Sequence, residues 1–177
     1  MPPNLTSNSF SIPDHRLSFV SEKIIMAKTT VAAAKTLSGK AEIKKVINDF
    51  MDALCRKDVK RMISHYASDA IMYDVKPPFQ TKGAIAWKHT WEACIGYFPP
   101  SFKVDIRNLV IHANGDIALS HYIFRLTGTK KDDPAAQTWI RTTTGFKKIQ
   151  GKWKIVHEHG SVPFNPHTRE AIFTLEP

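Results

Sequence analysis

Apolar residues recur at helical spacing in three segments before residue 100. The strongest pattern covers residues 40–56, where the apolar positions are Ile43, Val46, Ile47, Phe50, Met51 and Leu54. Steps of three and four residues place these side chains on one face, which predicts an amphipathic helix. A second, short helix is predicted from its N-cap at Asp58 to Tyr66. A third is predicted over about Ala84–Tyr97, where Pro99 ends it.

Beyond residue 101, apolar and polar residues alternate with a period of two, which predicts β-strands. A slip of the period near Asn108 indicates a bulge, and Asn114–Gly115 is a strong hairpin signal. Four strands are predicted, from Phe102 to Ala113, Asp116 to Gly128, Thr138 to Ile149 and Lys152 to Val162. With a short earlier strand at Ala70–Asp74, the pattern predicts an α+β fold. Three helices pack on a curved antiparallel sheet, whose open end forms an apolar pocket.

The ends of the chain lack this periodicity. Residues 1–38 have three prolines in their first thirteen positions and no sustained apolar pattern, so we expect a flexible N-terminal extension that folding does not require. This segment is also rich in Ser and Thr and poor in acids, as organelle transit peptides are. The folded domain is predicted to cover residues 39–164, followed by a C-terminal tail over residues 165–177.

Composition narrows the class of protein. The chain has 177 residues, of which 42% are hydrophobic and 23% charged, as in a globular domain. Its two cysteines, Cys55 and Cys94, are predicted to be reduced, which favours a cytoplasmic location. No apolar run reaches the roughly 18 residues that a membrane span needs, so no membrane partner is expected. The net charge of +9 is spread over scattered basic pairs, which favours a solvated surface over a nucleic-acid site. Without a Gly-rich nucleotide or phosphate motif, no cofactor is expected.

Two histidines near the end of the chain are candidates for a functional site. His157 and His159 flank Glu158 in the last predicted strand. The period of two places both histidines in the pocket and Glu158 on the other face, unless a bulge intervenes. An HxH pair supplies only two metal ligands, and no acid follows it, so we expect no metal. Histidines that hydrogen-bond to neighbours or to a ligand are the leading interpretation, and purely structural histidines are the alternative.

Further candidates come from the other predicted pocket elements. Asp74 ends an apolar strand, where a carboxylate can act as a general base, although a turn-capping role is the alternative. Arg141, expected to face inward, would need a carboxylate partner or an anionic ligand group. Trp87 and Trp91 share one helical face, either as core or as the wall of a site for a flat ring. The remaining candidates for binding a substrate are Tyr73, Phe79, His121 and Thr143.

Three motifs together resemble one protein family. The segments HYASDAIMYD, the KG before the third helix and GKWKIVHEHGSVPF are similar to those of the SnoaL-like branch of the nuclear-transport-factor-2-like superfamily, which includes ketosteroid isomerases. The resemblance implies a cone-shaped fold, a homodimer formed through the sheet, and a small apolar or aromatic ligand. It places Asp74 at the position of the isomerases' proton-shuttling aspartate. The two enolate-binding positions fall near Phe50 and Thr143, which do not match, so steroid isomerisation is not expected.

Two classes of function follow. The first is proton transfer next to a carbonyl, as in isomerisation, cyclisation or dehydration. Asp74 would be the base, a histidine its proton partner, and Arg141 or Thr143 the group that stabilises charge. The second is a non-catalytic module for ligand binding or association. A hollow pocket on which Asp74 and the histidines converge would favour the enzyme, and a filled pocket would favour the module.

Overall fold

The computed structural model describes residues 15–128 and 134–177. Residues 1–34 and residues 35–177 form two separate compact units. In the first unit the backbone is helical from His15 onward, as part of helix α1 (His15–Cys55). The helix begins earlier than the predicted start near residue 40, because no glycine or proline interrupts the chain between His15 and Leu37. The expectation of a dispensable, flexible extension stays a prediction, and its residues 1–14 lie outside the described residues.

The helices of the second unit follow the predicted pattern closely. Helix α2 (Val59–Ile63) is capped by Asp58, whose carboxylate accepts a 2.9 Å hydrogen bond from the Arg61 N–H. It ends before Tyr66, because that residue already starts the first strand. Helix α3 (Ala84–Cys94) continues into a 3₁₀ turn, and a short helix α4 lies farther along. The bounds of these last two elements are Ile95–Tyr97 and Pro134–Gln137.

Six strands form one open sheet in the order β2-β1-β6-β5-β4-β3. Their bounds are Tyr66–Tyr73 (β1), Thr81–Lys82 (β2), Lys103–Asn114 (β3), Ile117–Thr127 (β4), Ile140–Ile149 (β5) and Lys152–Ser161 (β6). The last four strands form the predicted antiparallel meander. Strand β1 joins the meander by pairing with β6 in parallel, which brings the two halves of the domain together.

Two irregularities shape the sheet, and only one was predicted. The register of β3 against β4 shifts between Arg107 and Val110, which confirms the bulge near Asn108. A second bulge lies in β6, where His157 pairs with Gly145 but Ile155 pairs with Phe146. Val156 is therefore the extra residue of this strand. A single extra residue reverses the face to which all later side chains point.

The core lies between the helices and the inner face of the sheet. Ile43 and Leu54 of α1, Met62 of α2, Met72 of β1 and Phe146 of β5 are all buried there. The predicted α+β fold, with helices on a curved and unclosed sheet, is confirmed. Among the helices of the described residues, none has the length and apolarity needed to cross a membrane.

Candidate functional site

The helices and the inner sheet face enclose a cavity of about 440 Å³, a size suited to a small molecule. Its walls are mostly apolar and include Phe50, Leu54, Met72, Trp87, Trp91 and Phe124. The rings of Trp87 and Trp91 meet edge to face, with centroids 5.8 Å apart. Both indoles lie in the helical wall of the cavity, inclined at 71° to each other, on the one helical face that the i, i+4 spacing predicted.

Glu158 carries the principal acidic group inside this cavity. The Glu158 side chain lines the cavity and is partly exposed there, while protein covers most of its surface. Burial raises the pKa of Glu158 to about 7, and the charge of Asp74 adds to this, while a hydrogen bond from Tyr66 offsets part of it. That bond runs from the Tyr66 hydroxyl to Oε1 over 3.0 Å. The Glu158 carboxyl therefore holds its proton in a large share of molecules near neutral pH.

Two tyrosines surround this carboxyl group. Burial, followed by the charge of Glu158, raises the pKa of Tyr66 far above its usual range. The pKa of Tyr122, which also lines the cavity, is raised for the same two reasons. Both phenols therefore keep their protons and can donate hydrogen bonds beside the acid.

A second, charged group of residues lies in the same cavity. The Asp74 carboxylate accepts a 2.8 Å hydrogen bond from the Val75 N–H and lies 3.2 Å from the Lys76 Nζ. Burial lowers the pKa of Lys76, but Asp74 and then Cys94 outweigh this effect, so the pKa is raised overall. Lys76 therefore stays a cation, and its ammonium group is paired with the Asp74 carboxylate.

Three polar atoms of the wall have no hydrogen-bond partner. Trp87 Nε1, Trp91 Nε1 and Thr142 Oγ1 are buried and make no hydrogen bond within residues 15–128 and 134–177. All three residues line the cavity. Since buried polar groups are nearly always satisfied, these groups are suited to the polar atoms of a bound molecule.

The structure brings four of the ten predicted site residues to the cavity: Tyr73, Asp74, Trp87 and Trp91. Tyr73 lies only at the edge of the cavity, because its ring packs against the rings of His157 and His159, with centroid distances of 5.1 and 5.9 Å. The functional roles of these four cavity residues remain predictions.

The prediction that His157 and His159 face the cavity is wrong. Val156, the bulge residue, reverses the strand, so that Glu158 points inward beside Met72. His157 instead bonds through Nδ1 to the Ile71 carbonyl at 2.9 Å, and His159 is exposed. The consecutive apolar residues Ile155 and Val156 break the alternation and were the available signal for the bulge. Among the described residues, no three His, Cys, Asp or Glu side chains converge as a metal site.

The inward orientation predicted for Arg141 and Thr143 is also wrong. The buried residues of β5 are Thr142, Thr144 and Phe146, whereas Arg141 is exposed on the outer face. His121 pairs with Thr143 on that outer face. Three consecutive threonines show no apolar contrast, so the sequence pattern could not fix the phase of this strand. The remaining candidate, Phe79, is 96% exposed in the loop after β1.

Comparisons with known proteins agree with this architecture. The family model for the SnoaL-like domain matches residues 43–165. A solved NTF2-like protein of unknown function from Pseudomonas putida is 32% identical, with 80% of this chain and 99% of that chain covered and a TM-score of 0.75. No protein with a curated description matches the sequence.

Two further solved structures share the fold at lower identity. A putative scytalone dehydratase from Novosphingobium aromaticivorans is 19% identical, with a TM-score of 0.58 over 80% of this chain and 96% of that chain. A putative calcium/calmodulin-dependent protein kinase type II association domain from Thiobacillus denitrificans is 17% identical, with a TM-score of 0.57 over 69% and 94%. At these identities the likeness extends to the fold alone.

Proposed function

The chain belongs to the SnoaL-like domain family, and from this and its cavity we propose that it binds a small, largely apolar molecule and transfers a proton next to a carbonyl group of that molecule. One observation carries the proposal: the Glu158 carboxyl is enclosed in an apolar cavity and has a pKa of about 7. General acids and bases work best when their pKa lies near the working pH.

The two carboxyl groups of the cavity suit two different steps. Asp74 is ion-paired with Lys76, while burial raises the pKa of Glu158 to about 7, so that Glu158 holds a proton in a large share of molecules near neutral pH. Groups whose surroundings separate their protonation states divide naturally into base and acid. Asp74 takes a proton from the carbon next to the carbonyl, and Glu158 donates its proton to the carbonyl oxygen, which yields an enol. In an isomerisation the enol is conjugated with a second double bond, Asp74 returns its proton to the far carbon of that bond, and the enol O–H gives its proton back to Glu158 as the carbonyl re-forms. In a dehydration Asp74 gives its proton to a hydroxyl group on the next carbon, the C–O bond breaks to release water, and the enol O–H likewise returns its proton to Glu158.

In this proposal Glu158 takes the role that the sequence analysis assigned to a histidine. Tyr122, which lines the cavity, is a neutral hydrogen-bond donor where Arg141 or Thr143 had been expected, whereas Tyr66 donates its one hydroxyl proton to Glu158. A neutral donor such as Tyr122 fits a carbonyl oxygen that gains negative charge during the reaction. Steroid isomerisation in its usual form is still not proposed, since Phe50 lies in the wall without a hydrogen-bonding group.

The shape and polarity of the cavity restrict the ligand. The aromatic faces of Trp87 and Trp91 favour a flat or ring-bearing molecule. Trp91 Nε1 can donate a hydrogen bond, and Thr142 Oγ1 can donate or accept one. Among the described residues that line the cavity, Lys76 is the cation, and it is already paired with Asp74 instead of being available to an anionic group. We therefore propose an uncharged ligand with oxygen acceptors.

A homodimer through the outer sheet face is the proposed assembly. Val110, Ile117 and Leu119 are 39%, 58% and 44% exposed on that face. Exposed apolar residues clustered on one sheet face favour association with a second copy. A cytoplasmic location, and the lack of nucleic-acid and membrane partners, stay expectations from the sequence.

A non-catalytic module for ligand binding or association is the second candidate. The same exposed apolar face favours it, because an association module needs such a surface. The buried acid favours the enzyme, since a carboxyl group with a pKa of about 7 can both give and take a proton near neutral pH.

Proton exchange in heavy water tests the proposal. Molecules that co-purify with the chain are identified by mass spectrometry, and the carbonyl compound among them is incubated with the protein in D₂O. We expect deuterium to enter next to the carbonyl, and the rate to fall at least ~10²-fold in Glu158→Gln. Glu170→Gln, which changes an exposed residue of the tail, is the matched control. Equal exchange by wild type and Glu158→Gln would refute the proposal.

A further inference from the structure

A glycine lies on the inner face of strand β6, inside the cavity. Gly160 lines the cavity and follows Glu158 by two residues, so both positions belong to the same face of the strand. A Cβ atom at Gly160 would meet Ile140 Cγ2 at 3.7 Å and Val75 Cγ1 at 3.9 Å, which are ordinary contact distances. The backbone of Gly160 does not adopt a positive φ either. Because neither packing nor backbone requires glycine here, the missing side chain leaves space for the close approach of a ligand.

Two polar residues flank this space. Thr142 of β5 lies directly opposite Gly160. On the other side, Tyr73 pairs with His159 at the end of β1, so that Asp74 comes next to Gly160. Neighbouring strands are about 4.8 Å apart, which puts the Cα atoms of Asp74 and Thr142 about 10 Å from each other. A carbonyl group and the carbon atom beside it fit between these two side chains.

The hydroxyl group of Thr142 is without a partner among the residues that the structure describes. Thr142 is 6% exposed, and its Oγ1 atom is buried and makes no hydrogen bond there. A buried hydroxyl that stays unsatisfied destabilises an apolar wall. Thr142 and Gly160 line the same cavity, so a ligand atom above the glycine is the partner that the geometry offers. Since the hydroxyl can donate a hydrogen bond, this atom is an oxygen acceptor.

We propose that Gly160 and Thr142 form the binding site for the carbonyl group of the ligand. The missing side chain of Gly160 makes room for the carbonyl group, and the Thr142 hydroxyl donates a hydrogen bond to its oxygen. Thr142 is then a catalytic residue, and Gly160 is a specificity-determining residue. The carbonyl site deepens the proposed function and rests on it, because it fixes where the reacting group lies between the base and the acid.

The carbonyl site places each reacting atom beside the group that acts on it. With the carbonyl oxygen at Thr142, the carbon next to the carbonyl faces Asp74, which takes its proton. Glu158, two positions along the same strand face, gives its proton to the oxygen. Tyr122 lies opposite Thr142 on β4 as the next neutral donor. Donors placed where negative charge develops stabilise the transition state more than the bound ketone.

Two probes of similar shape test the Thr142 hydroxyl in the full chain. Indanone is a flat aromatic ketone, and indane is the same ring system without the oxygen. Isothermal titration calorimetry measures the dissociation constant of each. Thr142→Val keeps the shape of the side chain and should weaken indanone binding roughly tenfold, while indane binding changes less than about twofold. Thr142→Ser should bind indanone like wild type, and Thr143→Val, on the outer face of the same strand, is the matched control.

A second variant tests the space at the glycine. In Gly160→Ala the added methyl group occupies the place of the carbonyl group, so indanone binding should weaken roughly tenfold. Gly145→Ala is the matched control. A Cβ atom at Gly145 also meets its nearest neighbour, His157 Cβ, at an ordinary 3.6 Å, and its backbone has no positive φ. Gly145 lies opposite His157 on the outer face, so this variant should bind indanone like wild type.

Three results would overturn the carbonyl site: no indanone binding by wild type, unchanged binding in either folded test variant, or an equal loss in its matched control. If Thr142→Val fails to fold, Thr142→Ala replaces it and should lose indanone binding where Thr142→Ser keeps it. These measurements follow equilibrium binding and need no turnover. They therefore remain decisive even if Glu158→Gln leaves proton exchange unchanged and the proposed function fails.

Discussion

The hydroxyl group of Tyr66 donates a 3.0 Å hydrogen bond to Oε1 of Glu158. Tyr66 begins β1 and Glu158 lies near the end of β6, the strand that pairs with β1 in parallel. The bond therefore joins the helical half of the domain to the meander at the innermost part of the cavity. It also lowers the pKa of an acid that burial raises, so Tyr66 limits how firmly Glu158 holds its proton.

Removal of this hydrogen bond should raise the pKa of Glu158 further. In Tyr66→Phe the ring keeps its packing against Phe50 and Trp87, but the carboxylate loses its donor. We expect an increase of about one unit in the pKa, measured by NMR titration of the carboxyl carbon. Tyr97→Phe is the control, because Tyr97 is 90% exposed at the cavity edge. A pKa that stays the same or falls in Tyr66→Phe would contradict this account of the site.

The raised pKa of Glu158 should make the fold less stable as the pH rises. In the unfolded chain this carboxyl ionises near its usual pKa of 4.5, but in the fold it ionises only near 7. The folded chain therefore binds this proton more tightly than the unfolded chain does. The stabilisation that the proton gives the fold is complete below about pH 4.5 and is lost as the pH rises through 7. Between about pH 5 and pH 8 this one group should lower the free energy of unfolding by about 2–3 kcal/mol.

Urea denaturation of wild type and Glu158→Gln at both pH values isolates this effect. Acids with lowered pKa, such as Asp49 beside Arg61, gain stability as the pH rises, but they do so equally in both proteins. The variant should therefore gain about 2–3 kcal/mol relative to wild type on going from pH 5 to pH 8. A difference between the two proteins that does not change with pH would show that Glu158 ionises normally in the fold.

Asp74→Asn should slow proton exchange at least ~10²-fold while ligand binding changes little, because the substitution removes the base and keeps its shape. Exchange kinetics and a ligand titration monitored by the fluorescence of the wall tryptophans separate the two effects. Lys76→Met is the matched control, because it breaks the same ion pair and keeps the Asp74 carboxylate. Normal exchange in Asp74→Asn would support the alternative reading of Asp74 as a turn-capping residue.

A shortened chain that begins at Thr36 should melt within a few degrees of the full chain. Where the structure describes the side chains of α1, those that enter the core or pack against it, from Ile43 to Cys55, belong to the unit of residues 35–177. Thermal unfolding followed by circular dichroism makes the comparison. A much lower melting temperature would show that residues 1–35 contribute to the stability of the fold, against the prediction of a dispensable extension.

The order of elements could be predicted from the sequence because it rests on local signals. The apolar spacing from Ile43 to Leu54, the cap at Asp58 and the turn at Gly115 each depend on a few neighbouring residues. The bulge near Asn108 was recognisable for the same reason, since the apolar period of the sequence slips there. In the structure Asn108 adopts a positive φ of 55° at this bulge. Such features need no knowledge of the remainder of the chain.

The site was harder to predict because a single bulge residue decides which side chains of β6 face the cavity. Val156 has an ordinary side chain. As the bulge residue, however, it places Glu158 in the cavity, where the alternation had predicted His157 and His159. Whether a strand absorbs an extra residue depends on pairing with a neighbour, here Gly145 and Phe146, and therefore on tertiary structure. The pairing of Tyr66 with Glu158, 92 positions apart, depends in the same way on the parallel contact between β1 and β6.

The most direct test of the central claim is the pKa of Glu158 itself, measured by ¹³C NMR on the full chain without ligand. The resonance is assigned by its loss in Glu158→Gln. We expect a single carboxyl resonance that titrates near pH 7, well above the titration range of the exposed acids. A Glu158 resonance that titrates below about pH 5, in the range of ordinary glutamates, would contradict it.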